Sequence, residues 1–269
     1  MSGAVWDDNV GGGHPGRPSK ADDPRWHNAR SGLGRQLGGG PRHPVKSRVT
    51  DNAGGPAKER LGPLLAATRL YAVTDDALGP DELVRIVDVL LRAGVRLFQY
   101  RDKEHSDRER VTVARTLVNR IHAQGGLLLM NDRADLAVAA GADGVHLGQD
   151  DLPLEWGRAL VGADRIVGAS ASYLHEIAPA SAVADYLGFG AVFVTGTKPD
   201  AEYAGLDLLE QACQASPVPV VGIGGITAER APAVLGRGAA GVAVVSALFR
   251  APDPPEAARR LLVALNRSI

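Results

Sequence analysis

PDELVRIVDVLLRAGVRLFQYRDK, residues 80–103, carries one complete unit of the fold. Residues 80–93 form an amphipathic stretch of helical length. Gly94 interrupts it where a left-handed residue is often needed between a helix and a strand. The apolar run Val95-Arg96-Leu97-Phe98 reads as a short strand, and Gln99-Tyr100-Arg101-Asp102-Lys103 closes it with charge. Side chains alternate faces along a strand, so Gln99, Arg101 and Lys103 point the same way. Two cations and an amide then converge at the C-terminal end of the strand, an arrangement that favours an anion between them.

Outward in both directions the same alternation recurs. It predicts eight strands at 69–74, 95–99, 126–130, 144–147, 166–169, 186–190, 218–223 and 241–246. It predicts helices at 80–93, 107–124, 132–140, 154–161, 174–182, 207–215, 228–236 and 255–265. Thr227 is the expected N-cap of the seventh helix. Eight strand–helix units in about 205 residues imply parallel strands with helical crossovers, the arithmetic of a single compact (β/α)₈ TIM barrel. An open doubly wound sheet is the second choice. The parallel turns Gly141-Ala142-Asp143-Gly144-Val145 and Gly238-Ala239-Ala240-Gly241-Val242 favour the barrel. Gly236-x-Gly238-x-x-Gly241 formally matches a dinucleotide fingerprint, but it precedes a strand instead of following one and is rejected.

Residues 1–60 differ. They hold 12 Gly, 6 Pro, and 10 Lys or Arg against 6 Asp or Glu. This composition buries too little apolar surface to offset chain entropy. A disordered Gly/Pro-rich extension is expected over 1–62, followed by the barrel over 63–269. The whole chain of 269 residues carries a net charge of −1, which gives no global field for nucleic acid or anionic membrane. Its single cysteine, Cys213, precludes an internal disulfide and fits a reducing compartment. Apolar runs fall short of the roughly 20 residues of a membrane span, and no signal-peptide core follows Met1. A cytoplasmic protein is expected, with no nucleic-acid or membrane partner; a homo-oligomer is compatible with the sequence.

In a barrel of this kind, chemistry lies in the loops after the strands. After the third strand comes Asn131-Asp132-Arg133, and after the fourth Gly148-Gln149-Asp150-Asp151. Asp132 with Asp151, or with Asp150, offers two carboxylates on neighbouring strands, suited to Mg²⁺ alongside a phosphate. The alternative for Asp132 is a helix N-cap. His146, inside the fourth strand, reads as a hydrogen-bonded core histidine or, less readily, a base. No nucleophile–base pair of the Ser/His kind is apparent.

Ser170-Ala171-Ser172 follows the fifth strand and Thr195-Gly196-Thr197-Lys198 the sixth. Gly224-Gly225-Ile226-Thr227 follows the seventh and Val245-Ser246 the eighth, a common place for a phosphate in this fold. Two anion regions result. One, with Arg101, Lys103, Asn131, Asp132, Asp151 and Lys198, suits a metal-bound diphosphate. The other, with Thr195, Thr197, Gly225, Val245 and Ser246, suits a monophosphate. Together they point to substitution with departure of diphosphate.

These motifs resemble thiamine-phosphate synthase. The resemblance runs from about Leu70 to Leu248 through Leu70-Tyr71-Ala72-Val73-Thr74-Asp75, Gln99-Tyr100-Arg101-Asp102-Lys103, Asn131-Asp132-Arg133-Ala134-Asp135, Gly144 to Asp151, Thr195-Gly196-Thr197-Lys198 and Gly222-Ile223-Gly224-Gly225-Ile226. It implies a Mg²⁺-dependent transferase, with one ion per site, that joins a hydroxymethylpyrimidine diphosphate to a thiazole phosphate. The products are thiamine phosphate and diphosphate, formed by a dissociative route.

By motif position the resemblance implies Gln99 at the pyrimidine and Arg101, Lys103, Asn131 and Lys198 at its diphosphate. Tyr100 and Asp102 enter the substrate-binding set through the same motif, and Ser170 would sit beside the pyrimidine diphosphate. Gln99, Arg101, Lys103, Ser170 and Lys198 are the implied catalytic group. Asp132 and Asp151 would hold the metal, which settles the choice against Asp150. Thr195, Gly196, Thr197, Gly225, Val245 and Ser246 would take the thiazole phosphate. Two alternatives are a thiazole tautomerase of the same barrel and a non-catalytic barrel that binds thiamine precursors. Ser172, standing where the tautomerases place a catalytic histidine, counts against the first; the intact diphosphate and metal residues count against the second.

Overall fold

The computed structural model describes residues 55–194 and 203–266. Its eight strands are β1 (Leu70–Val73), β2 (Leu97–Tyr100), β3 (Leu127–Asn131), β4 (Gly144–Leu147), β5 (Ile166–Ala171), β6 (Tyr186–Phe189), β7 (Val220–Ile223) and β8 (Gly241–Val244). All pair in parallel with their sequence neighbours, and β8 pairs with β1, closing the barrel.

Both faces of these strands are buried, which is why they read as continuous apolar runs. Leu70, Phe98, Leu128, Val145, Val167 and Leu187 face outward onto the helices. Tyr71, Val73, Leu97, Leu127, Leu129, Ile166, Tyr186 and Val221 fill the interior. Glycine makes this interior possible at two strand positions. A Cβ on Gly168 would lie 2.3 Å from a Tyr186 ring carbon, and one on Gly144 would lie 2.1 Å from the Ile166 carbonyl oxygen.

The outer layer holds α2 (Pro80–Arg92), α3 (Asp107–His122), α4 (Ala134–Ala140), α5 (Leu154–Val161), α6 (Ile177–Ser181), α7 (Gly205–Ala215), α8 (Ala231–Leu235), α9 (Ser246–Phe249) and α10 (Pro254–Asn266). Ser106 caps α3 in a reciprocal capping box with Glu109. Gly94, Gly125 and Gly141 adopt φ values of 106°, 71° and 74°, the left-handed turns expected between helix and strand. No helix among the described residues is long and apolar enough to cross a membrane.

Several boundaries differ from expectation, four of them with a clear physical reason. A helix, α1 (Ala57–Thr68), begins inside the stretch read as an extension, so residues 57–62 are ordered. Its Leu61 and Leu65 are buried against the barrel's interior cluster, a packing contact that composition does not reveal. The helix predicted from 228 begins at Ala231, with Arg230 as its N-cap in place of Thr227; Pro232 lies in its first turn, where a missing N–H costs nothing. The helix predicted from 174 is split into a 3₁₀ turn, Leu174–Glu176, and α6. Finally, β8 ends at Val244, because Val245 (φ −111°, ψ −84°) turns the chain into α9.

Candidate active site

The C-terminal ends of the strands surround an open cavity of roughly 230 Å³. From the sequence-predicted set, Gln99, Arg101, Asn131, Ser170, Gly225, Val245 and Ser246 line it. They come from five different strand ends, which only barrel closure brings to one mouth. Thr195, Gly196, Thr197 and Lys198 lie outside the described residues.

Period-2 alternation sets the roles within the β2 motif. Gln99 points into the barrel, 5% exposed, and its Nε2 donates to the Tyr71 hydroxyl at 3.0 Å. Arg101 lines the same cavity. Tyr100 and Asp102, expected among the substrate-binding residues, do not line it. The buried Tyr100 packs outward among the helix-facing residues, and its hydroxyl donates to Asp102 Oδ2 at 2.7 Å. Asp102 also accepts the backbone N–H groups of Glu104 and His105, both at 3.0 Å. Burial raises its proton affinity, but these donors outweigh burial and hold the carboxyl below its usual range. The pair supports the loop behind the site.

A polar chain that the sequence reading missed crosses the cavity floor. The Tyr71 and Tyr186 hydroxyls lie 2.9 Å apart, Tyr186 lies 2.8 Å from His146 Nδ1, and His146 Nε2 lies 3.0 Å from Ser170 Oγ. His146 is thus hydrogen-bonded, as expected, and also faces the site. The expectation of no Ser/His pair is corrected here: in register, His146 opposes Gly168, and Ser170 follows two residues later on the same face. The group behind His146 is a phenol whose own ionisation burial strongly opposes. It therefore provides no anion to stabilise an imidazolium, unlike the carboxylate of a hydrolase triad. The signal available in sequence was two tyrosines at interior positions of otherwise apolar strands.

Charge gathers just outside the cavity lining, where Lys103, Asp132 and Asp151 follow β2, β3 and β4. Lys103 Nζ lies 3.3 Å from Asp132 Oδ2. Asp132 is held at φ 65°, with its N–H donating to the His146 carbonyl at 2.8 Å. It precedes α4 by two residues and does not cap it, since Arg133 is the N-cap. Asp151 Oδ2 accepts the Gly148 N–H at 2.6 Å. Burial, reinforced by hydrogen bonding and repulsion from Asp132, pushes the Asp151 carboxyl up; the Gly148 N–H and Lys103 oppose the rise. Among the described residues no three His, Cys, Asp or Glu side chains gather as a metal-binding cluster. Two adjoining carboxylates are nevertheless what Mg²⁺ asks of a protein when waters and substrate phosphates complete its shell. Their mutual repulsion is relieved by a hard cation, so this pair fits one.

Opposite, Gly224 and Gly225 adopt φ values of 100° and 61°. A Cβ on Gly225 would lie 2.6 Å from the Val194 carbonyl oxygen, so only glycine lets this loop approach the Phe193–Val194 backbone so closely. Arg230, also missed, donates to the Gly225 carbonyl at 2.8 Å and lies 4.9 Å above the centre of the Phe193 ring. The site thus has a deep, mostly apolar floor with polar tips, a charged rim at β2–β4 and a glycine-built rim at β7–β8. Such an arrangement can hold a flat heterocycle with anionic groups on two sides.

A family model described as thiamine monophosphate synthase matches residues 70–248. The thiamine-phosphate synthase of Thermosynechococcus vestitus is 43% identical over 213 residues, covering 79% of this chain and 60% of that protein. The one from Chlorobium luteolum is 43% identical over 199 residues, covering 73% of this chain and 92% of that protein. The chain spans 42–60% of the length of the first curated relatives it matches. Among solved structures, thiamine phosphate pyrophosphorylase from Pyrococcus furiosus is 36% identical with a TM-score of 0.71, over 77% of this chain and 99% of that one.

Proposed function

Because the chain belongs to the thiamine monophosphate synthase family, we propose that it condenses a 4-amino-5-(diphosphooxymethyl)pyrimidine with a thiazole bearing a phosphooxyethyl arm. The products are thiamine phosphate and diphosphate. The observation that carries this reading is the division of one cavity mouth into a cationic rim with a carboxylate pair and a glycine-built rim, above a floor sized for a heterocycle.

Gln99 and the floor chain of Tyr71, Tyr186, His146 and Ser170 orient the pyrimidine. Arg101 and Lys103, with Asn131 and Lys198, bind its diphosphate. Asp132 and Asp151 would hold Mg²⁺, which would supply further neutralisation of that anion. The bond between the methylene carbon and the diphosphate oxygen breaks first, and its electron pair leaves with the diphosphate. The aminopyrimidine stabilises the methylene cation, and the thiazole nitrogen donates its lone pair to form the new C–N bond. The Gly225 and Val245-Ser246 backbone, together with the 195–197 segment, holds the thiazole phosphate so that this nitrogen faces the carbon. No proton need leave in the bond-forming step, so catalysis rests on positioning and charge stabilisation. The setting is cytoplasmic.

The test is turnover of the purified full chain with both substrates and Mg²⁺, with thiamine phosphate measured. Asp132→Asn should lower kcat by about 100-fold or more, the scale of losing a preorganised electrostatic contact. It should also abolish the rise in melting temperature that Mg²⁺ gives the wild type by mass action. Full turnover in the variant, or an unchanged Mg²⁺ shift, would overturn the carboxylate assignment. Absence of product with the intact chain would overturn the synthase reading.

A further inference from the structure

Two adjacent carboxylates follow β1, and they face different cations. Asp75, 2% exposed, accepts from Arg250 (Nη2 to Oδ1, 3.1 Å) just beyond α9. Asp76 is paired with Nη1 of Arg101. The Arg101 backbone is locked to the same strand end. Its N–H donates to the Thr74 hydroxyl at 2.8 Å, and that hydroxyl donates back to the Arg101 carbonyl at 2.9 Å. Arg101 lines the cavity and Asp76 does not. Asp76 therefore stands behind the guanidinium, holding one edge of it and leaving its other N–H groups free to bind an anion.

Lys103 differs. Its counter-ion, Asp132, belongs to the carboxylate pair that would bind a cation, so a cation drawn to that pair releases the ammonium. Nothing comparable releases Arg101. Among the described residues, Asp76 makes its ion pair with Arg101 and no other group. The side chains are 23% and 20% exposed, partly withdrawn from solvent, so the pair is less screened than one at the open surface.

Building on the synthase reading, we propose that Asp76 is a positioning residue that weakens the hold of Arg101 on diphosphate, so that the leaving diphosphate is released. Its negative charge stays close to the bound anion and offsets part of the attraction, while its hydrogen bond keeps the guanidinium aimed at the mouth. A merely structural carboxylate would have the opposite signature, because its loss would let Arg101 swing away and weaken anion binding.

The experiment measures calorimetric binding of inorganic diphosphate, without divalent cation or either substrate, to the full chain and to Asp76→Asn and Asp76→Glu. Asparagine keeps the size and can still accept from Arg101, and melting temperatures confirm that both variants fold. Asp76→Asn should bind diphosphate about three- to tenfold tighter, the scale of losing one partly screened charge, and the difference should shrink with added salt. Asp76→Glu should return towards wild type. In turnover, Asp76→Asn should show a lower KM for the pyrimidine diphosphate and stronger product inhibition by diphosphate. Unchanged or weaker diphosphate binding by Asp76→Asn overturns the role of Asp76 alone. Failure of the wild-type chain to bind diphosphate overturns this role, whereas the synthase reading stands or falls on the turnover assay.

Discussion

Alternation along a single strand separates residues that act in the site from those that support it. Gln99 and Arg101 face the cavity while Tyr100 and Asp102 brace the loop behind. That division is legible in sequence once the strand is placed, because the period of two is a property of the backbone. The floor chain was not legible, since it links residues 115 and 40 positions apart that only closure brings into contact. Its geometry depends on Gly168, whose missing Cβ makes room for the Tyr186 ring. Gly168→Ala should push that ring off its partners and lower stability by about 1–3 kcal/mol, the scale of overpacking. It should also raise KM for the pyrimidine substrate more than for the thiazole. Chemical denaturation and steady-state kinetics check both.

Eight strands and most outer helices followed from apolar runs and punctuating glycines, because those elements bury a patterned face. The helix α1 did not, because its sequence AKERLGPLLAAT carries an internal Gly62-Pro63 and little periodic apolar character. What orders it is tertiary. Leu61 and Leu65 plug the floor of the barrel, and the Lys58 ammonium lies 2.8 Å from the buried Asp185 carboxylate. Arg60 donates to the carbonyls of Gly125 and Gly126. Removal of residues 1–54 should therefore leave turnover unchanged, whereas removal through Thr68 should destabilise the barrel. Leu61→Ala or Leu65→Ala should each cost about 2–5 kcal/mol. Thermal and urea unfolding of the two truncations distinguish this helix from a dispensable tail.

Across the whole molecule, closure also sets the response to acid. Arg250 holds the Asp75 carboxyl below its ordinary range, and hydrogen bonds do the same for Asp102 against the effect of burial. Their folded affinity for protons is lower than in the unfolded chain, where Asp titrates near 3.9. Their stabilisation is thus complete above about pH 5 and is lost as pH falls through 4 towards the folded values. Asp151 runs the other way, since its raised carboxyl costs stability at neutral pH and is relieved on acidification. Urea midpoints should fall between pH 7 and pH 3.5. Arg250→Gln, which leaves Asp75 buried without its cation, should cost about 1–3 kcal/mol at pH 7 and much less at pH 3. A loss equal at both pH values would show that Arg250 acts through packing alone. Strand count, parallel pairing, the β2 alternation and the candidate residues were available from local order, because periodicity and glycine placement are properties of neighbouring residues. Which side chains meet was decided by tertiary pairing: the Asp76–Arg101 pair needs β1 beside β2, whereas the Asp75–Arg250 pair joins positions that meet only when the eighth strand pairs with the first. The floor chain and the α1 plug likewise join residues distant in sequence.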